Sequence, residues 1–429
     1  MILLAGSRPD ISGYVYRAVS PWEMGGSAEE RGGGRRQHRG MSFRPAPALF
    51  VSQFAAMAGF LAPVPVLPRI AHDLGVSIAT AGQLRTLSGL AAGLTALAAG
   101  ALAHRLGVRR LLLVGLGLIA FGSAASAVAP SFVVLAAAQP PVGAGIAMVL
   151  AGGWSAAAAW APAAGRARLL AWAIVGQPAA WVVGMPVIGL VTTASWRWAW
   201  VAVPLASAVC GAVAVARRRP DAPGSSAARG PAPAPHREPD VAAWALSEFL
   251  TYMAWGGVLV YTGAFLLDSY ELSPGDAGAM LGAAAAGFLP GTLLARRWAE
   301  RYMTAMLVGF GLAAAGAVIA FTTARPSPVV STILLAMLMS LVGARTMAAG
   351  AFDLHAPPDR RAALMALRAA VMQFGNLAGA AAGGAAIAAG GYQSLGLMAG
   401  ALFALAVAPH VWRRRAAARG SWTAIAAPA

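Results

Sequence analysis

Lysine is absent from the 429 residues, so all 32 basic side chains are arginines, and only 15 acids stand against them. A single cysteine, Cys210, excludes an internal disulfide and any metal site built on a cysteine pair. There is no Gly-x-x-x-x-Gly-Lys-Ser/Thr loop, which removes the nucleotide-powered pumps. The six histidines are scattered at positions 38, 72, 104, 236, 355 and 410, and no two acids pair within an apolar run. The clustered metal ligands and acid–base pairs of a membrane-embedded enzyme are therefore missing, and neither a metal nor a cofactor is expected.

Charge itself is scarce. Charged residues make up 11% of the chain and hydrophobic ones 59%, where soluble domains carry about a quarter charged residues. A net charge of +17 in a soluble protein would point to nucleic acid. Here the arginines fall in short clusters between apolar runs, the pattern that retains loops on the cytoplasmic side of a membrane, so a lipid bilayer is the expected partner and nucleic acid is not. The runs fall at 47–68, 79–102, 109–129, 132–159, 167–191, 197–216, 241–267, 275–295, 303–323, 328–351, 364–388 and 393–412. Each is long enough to cross a hydrocarbon core of about 30 Å as a helix, and none alternates polar and apolar residues as a barrel strand does. The expected fold is all-α, a polytopic membrane protein of twelve transmembrane helices.

The long break "RRRPDAPGSSAARGPAPAPHREPD" divides the helices six and six. Its Pro, Ala, Gly and charge cannot bury a core, so residues 217–240 read as a cytoplasmic linker between a first half, 41–216, and a second, 241–414. Residues 1–40 read as a disordered tail with Met41 as the natural beginning, and 415–429 as a cytoplasmic tail. With the N-terminus inside, twenty-one arginines from Arg44 onward lie on cytoplasmic segments, Arg368 counted among them, and only Arg69, Arg197 and Arg325 lie outside. Both termini are thus expected in the cytoplasm, with the protein in the cell inner membrane. The halves echo each other: "GALAHRLGVRR" (Gly100 to Arg110) follows the second run and "GTLLARRWAER" (Gly291 to Arg301) the eighth. Duplicated halves enclosing a midplane site are a transporter architecture, which makes a small molecule the second expected partner.

These same residues resemble the major facilitator superfamily, and within it the twelve-helix drug:proton antiporter-like exporters of bacteria. "LPRIAHDLGVSIATAGQL" (Leu67 to Leu84) and the segment after it are similar to that family's first outer loop, second helix and signature loop, matched by Gly100, Leu102, Arg105, Gly107 and Arg109, with His104 where the family usually has Asp. "GQPAAWVVGMPVIG" (Gly176 to Gly189) is similar to the exporters' fifth-helix motif, "SWRWAWVAVPL" (Ser195 to Leu205) to the junction into helix 6, and "PPDRRAALMALRAAVMQFGNLAGAAAGG" (Pro357 to Gly384) to helix 11 and the loop before it. The resemblance implies the major facilitator fold, two pseudo-symmetric six-helix halves acting as a monomer, and proton-coupled efflux of a small amphipathic molecule or drug. It also shows a departure, because Gln139 stands where the fourth helix of that family normally carries Arg, four residues before Gly143. A facilitator or importer without proton antiport is the alternative.

Ionisable side chains inside hydrocarbon are costly and mark functional candidates. Glu248 is the acid well inside a run. It reads either as a carboxylate hydrogen-bonded near the cytoplasmic helix end or as the group that carries the coupled proton, with Tyr252 and Trp255 on its face at i+4 and i+7. Arg85 and Arg345 either snorkel to the nearer surface or face a cavity, where a guanidinium favours a carboxylate-bearing substrate. Gln53, Gln139, Trp154, Gln177, Trp181, Gln373 and Asn376 are the uncharged candidates, each readable as a helix-packing contact or as a ligand group. Gly89 with Gly93, and Gly379 with Gly383, form small-residue faces for close helix approach, and Trp and Tyr near run ends read as interface anchors. The arginine asymmetry makes a direct prediction. A reporter fused near Gly224 should be active only in the cytoplasm and one within residues 268–276 only outside; an external signal from the first would overturn the six-plus-six layout.

Overall fold

The computed structural model describes residues 45–161, 166–218, 239–299, 301–325, 327–355 and 358–412. The expected tails and most of the linker fall outside them. Among the described residues twelve long helices run in chain order: α1 (Pro45–Leu61), α2 (Ile78–Leu106), α3 (Val108–Ala127), α4 (residues 132–160), α5 (residues 166–191), α6 (Trp198–Ala216), α7 (Pro239–Tyr270), α8 (Pro274–Ala295), α9 (Met303–Thr323), α10 (Pro328–His355), α11 (residues 358–389) and α12 (residues 392–412). All but α2 lie in the ten spans long and apolar enough to cross a membrane, α11 and α12 forming one span. Helix 11 passes into helix 12 without a polar loop. The turn is made by Gly390 and Gly391, and Gly391 has φ +67°, which a side chain would oppose. Every described element is helical, as hydrocarbon requires, because a backbone with no water around it must satisfy its own hydrogen bonds.

The ends of the helices follow from local chemistry. One residue, Gly107 at φ +75°, separates α2 from α3, and glycine alone makes so tight a reversal without strain. Arg109, two residues on, donates from Nη2 to the carbonyl of Ala216 at 2.7 Å, capping the last turn of α6. Ser273 caps α8 by accepting from the Asp276 amide, with Pro274 at the first helical position. Helices 5 and 6 each carry a widened turn, Ala180–Gly184 and Val201–Leu205, next to Pro186 and at Pro204 respectively, since proline removes a donor from the ladder. The chain therefore has a basic end, with Arg105, Arg110, Arg217, Arg296 and Arg301 at its helix termini, and an opposite end bearing Arg69, Arg197 and Arg325.

Helix pairs approach until backbones touch. A Cβ on Gly143 of α4 would run into the carbonyl of Ser88 on α2, and one on Gly291 of α8 into the carbonyl of Ser340 on α10. The two halves thus make the same crossing between equivalent helices, with glycine and serine exchanged between them. Between the halves, Gly189 of α5 lies against Pro274 and Gly278 of α8, and Gly263 of α7 against the Val64 carbonyl. Tyr261 of α7 is wedged beside Gly82, Gly383 and Gly384, its hydroxyl donating to the Ala380 carbonyl at 3.0 Å. Gly89 meets Leu377 and Gly93 meets Phe374, so the small-residue face expected on α2 is the one that receives α11. Apart from the Gly89 and Gly93 contacts, which lie at mid-helix, these inter-half contacts are at the end opposite the basic loops, where the molecule is closed.

The tryptophans correct one expectation. Trp196, Trp200 and Trp244 are fully buried rather than at an interface, whereas Trp198, Trp298 and Trp412 are exposed as anchors should be. The backbone contacts yield a stability prediction. Gly143→Val should cost about 1–3 kcal/mol through overpacking against a carbonyl that cannot move aside. Gly316→Ala, with open space around it, should change nothing measurable, and melting of the detergent-solubilised variants followed by size-exclusion chromatography reads both.

Candidate functional site

Glu248 lies nine residues into α7, about 14 Å of helical rise from Pro239. The sequence sets it among apolar neighbours along its own helix, but the fold surrounds its carboxyl with guanidinium groups from two others. Oε1 accepts from Arg345 Nη1 of α10 at 2.6 Å, and Oε2 faces Arg368 Nε of α11 at 3.6 Å. The side chains of Glu248 and Arg345 are 1% and 2% exposed, so water screens neither charge. Arg345 does not snorkel. Its Nη2 donates to Ser247 Oγ at 2.9 Å, tying a second residue of α7 into the cluster. Ser247 Oγ in turn donates to the Ala406 carbonyl of α12 at 2.7 Å and sits 2.8 Å from His410 Nε2. Tyr252, one turn further along α7, is buried beside the same charges.

Three members of this cluster were not legible as such. Arg368 is counted with the cytoplasmic loops by its nearness to "PPDRR", yet it is ten residues inside α11, with Nη2 also donating to the Thr346 carbonyl at 3.2 Å. The signal was its place within the apolar run 364–388. Ser247 and His410 carry no pattern that separates them from other small or scattered polar residues.

The first half holds a neutral network. Gln53 of α1 donates from Nε2 to the Val149 carbonyl of α4 at 2.7 Å and accepts from Gln177 of α5 at 3.1 Å. Gly153 and Gly176 leave the space that its side chain fills. Gln139 spends Nε2 on Ser126 Oγ and the Leu135 carbonyl, both at 3.0 Å, a tie between α3 and α4. Trp181 is half-buried in the widened turn of α5. Trp255, Gln373 and Asn376 are buried, and Gln373 Nε2 and Asn376 Oδ1 have no hydrogen-bond partner. Arg85 is buried against the ring of Phe60. Gly100 and His104 lie in α2 and Trp154 in α4, but their surroundings are outside the described residues.

Comparison with known proteins decides the family. The family model of the Major Facilitator Superfamily matches residues 49–247 and again 244–428, one match to each half. The chain belongs to that superfamily. It is a multi-pass secondary transporter with two six-helix halves. The "Transcription regulatory protein OpdE" of Pseudomonas aeruginosa is 31% identical over 379 residues, covering 84% of this chain and 90% of that protein. Among solved structures, the inward-facing, occupied form of a bacterial homologue of the human lysosomal transporter Spinster shares 17% identity at a TM-score of 0.71, covering 88% of this transporter and 98% of that chain. The human organic anion transporter MFSD10 shares 16% at a TM-score of 0.65, covering 86% and 99%. At such identities the likeness is one of fold.

Removing one partner of a buried ion pair strands the other. Arg345→Met should cost about 3–5 kcal/mol of stability, because Glu248 keeps only the longer contact to Arg368. Glu248→Gln should cost less, since its amide oxygen still accepts from Arg345, and adding it to Arg345→Met should restore part of the loss. Additive losses in a denaturation cycle would show that the two side chains do not interact.

Proposed function

We propose that this transporter carries a small amphipathic molecule out of the cell across the inner membrane in exchange for protons, as a monomer, with its termini and linker in the cytoplasm and Glu248 as the coupling group. The observation that carries this reading is the pairing of a buried carboxylate with guanidiniums from two other helices. Among the described residues Glu248 is the acid deep within a crossing helix. A proton on its carboxyl removes the charge that holds Arg345 and Arg368 together, so loading it loosens α7 from α10 and α11 and unloading it draws them back. Tyr252, beside the same charges, gives an arriving solute a route to the switch. Competition between solute and proton for one group is the simplest basis of antiport. The half-to-half contacts at the end opposite the basic loops fit one stage of such a cycle, closed outward.

The short Arg345–Glu248 contact also favours a second reading, in which the pair is a structural tie and the protein moves solute down its gradient. Accumulation in proteoliposomes under an imposed pH gradient separates the two. Glu248→Gln should keep substrate binding and energy-independent exchange while losing uphill transport; accumulation equal to the parent's would assign the pair to structure. The Pseudomonas relative's name speaks of regulation. A chain that binds solute in this assay without moving it would be read as a membrane-embedded sensor instead.

A further inference from the structure

Arg85 sits on α2 three residues after Gly82 and four before Gly89. Both glycines pack on the second half, Gly82 against Tyr261 and Gly89 against Leu377, so the helical period puts Arg85 beside the seam between halves. Its side chain is 3% exposed, and its guanidinium lies over the Phe60 ring, 3.3 Å from the centroid. Nη1 donates to Ser88 Oγ at 2.9 Å, while Nε and Nη2 have no partner. Those two nitrogens are not an arbitrary remainder. Their N–H bonds point the same way along one edge of the planar group, the edge that takes both oxygens of a carboxylate.

No acid of this chain is placed to fill that edge among the described residues. Glu248 is engaged by Arg345 and Arg368, Asp268 accepts from Tyr392, and Asp276 accepts from Ser273. A buried cation without a counter-ion costs several kcal/mol, and one aromatic face returns only about 2 kcal/mol of it. The group is held flat by Phe60, anchored at one nitrogen by Ser88 and left open along one edge, at a seam that an alternating-access cycle opens and closes.

We propose that Arg85 is the anion-binding group of the transport path and that the solute carries a carboxylate, received side-on by Nε and Nη2. This deepens the transporter reading and rests on it. Rocking of the halves brings the open edge to the path, and the bound carboxylate supplies the missing counter-charge when the seam closes. The substrate's charge thus answers to the first half and the proton to the second.

The test uses the purified full chain in detergent with benzoate as probe, benzamide as its neutral counterpart of similar shape, and chloride to match ionic strength. Benzoate should raise the melting temperature saturably and benzamide should not. Arg85→Gln should abolish the benzoate response while melting, unliganded, no lower than the parent. Arg85→Lys keeps the charge but not the two-donor edge and should weaken benzoate by at least about tenfold. A parent that ignores benzoate, an Arg85→Gln variant that still responds, or an unliganded variant that melts well below the parent would each overturn the assignment, the last by showing Arg85 to be a structural cation. No gradient enters this measurement. Benzoate binding in a chain that moves no solute would sink the transport reading alone, and uphill transport untouched by Arg85→Gln would sink this inference alone.

Discussion

Contact of backbone on backbone at glycine holds this molecule together. In lipid, helices gain nothing by hiding apolar surface from one another, so association rests on close packing and on polar ties. Gly143 against Ser88 and Gly291 against Ser340 set the crossings inside each half, and Gly189, Gly263 and Gly82 set the contacts between halves. At Gly189 and Gly263 backbone meets backbone, while at Gly82, Gly89 and Gly93 the glycine receives a side chain of the other half, so the seam is a set of shallow glycine-lined contacts. The shorter polar ties run within halves, Gln53 joining α1 to α4 and α5 and Arg345 joining α10 to α7, while between halves the Tyr261 hydroxyl lies 3.4 Å from the Ala79 carbonyl of α2. Strong links inside units and glycine seams between them are what a rocking mechanism requires.

Much of this was legible in the chain because the bilayer enforces a simple grammar. Apolar runs of crossing length, arginine clusters at one end and the broken symmetry at residues 217–240 locate the helices to within a few residues. The expected glycine faces at Gly89, Gly93, Gly379 and Gly383 all receive neighbours. What the sequence hid is which polar residues meet. Periodicity along α7 places Glu248 with Tyr252, but nothing in it reveals that Arg345, 97 positions on, reaches the same carboxyl. Arg368 was obscured for a different reason: an arginine near a basic loop is ordinarily counted with the loop, and only the start of its apolar run at 364 marks it as internal. Gln139 illustrates the opposite case, a residue in a suggestive position whose Nε2 is spent on packing ties.

Among the described residues the buried charges fall unevenly between the two halves. Among the described residues Arg345 and Arg368 share the carboxylate of Glu248, and Arg85, in the other half, is buried with no carboxylate against it. In the second half the surplus is softened by shared geometry, because Arg345 also has Ser247 and Arg368 also has the Thr346 carbonyl. In the first half Arg85 has a hydroxyl and an aromatic face, neither of which carries negative charge. An interior kept positive is expensive unless something negative visits it.

That asymmetry bears on how two ligands can be linked without touching. A proton arriving at Glu248 adds positive charge to a half that is already positive, and a carboxylate arriving at Arg85 removes it from the other. Each ligand changes the field in which the other binds, over a distance that low-dielectric packing does not screen as water would. By linkage the effect is reciprocal, so whatever free energy protonation contributes to anion binding, anion binding returns to protonation. With this sign alone, the field favours proton and anion aboard together, which is symport. Antiport needs the further condition that closure of the seam tolerates one ligand or the other but not both. The glycine contacts supply a physical basis for that condition, since Gly82, Gly189 and Gly263 admit no added atom and the seam closes completely or not at all.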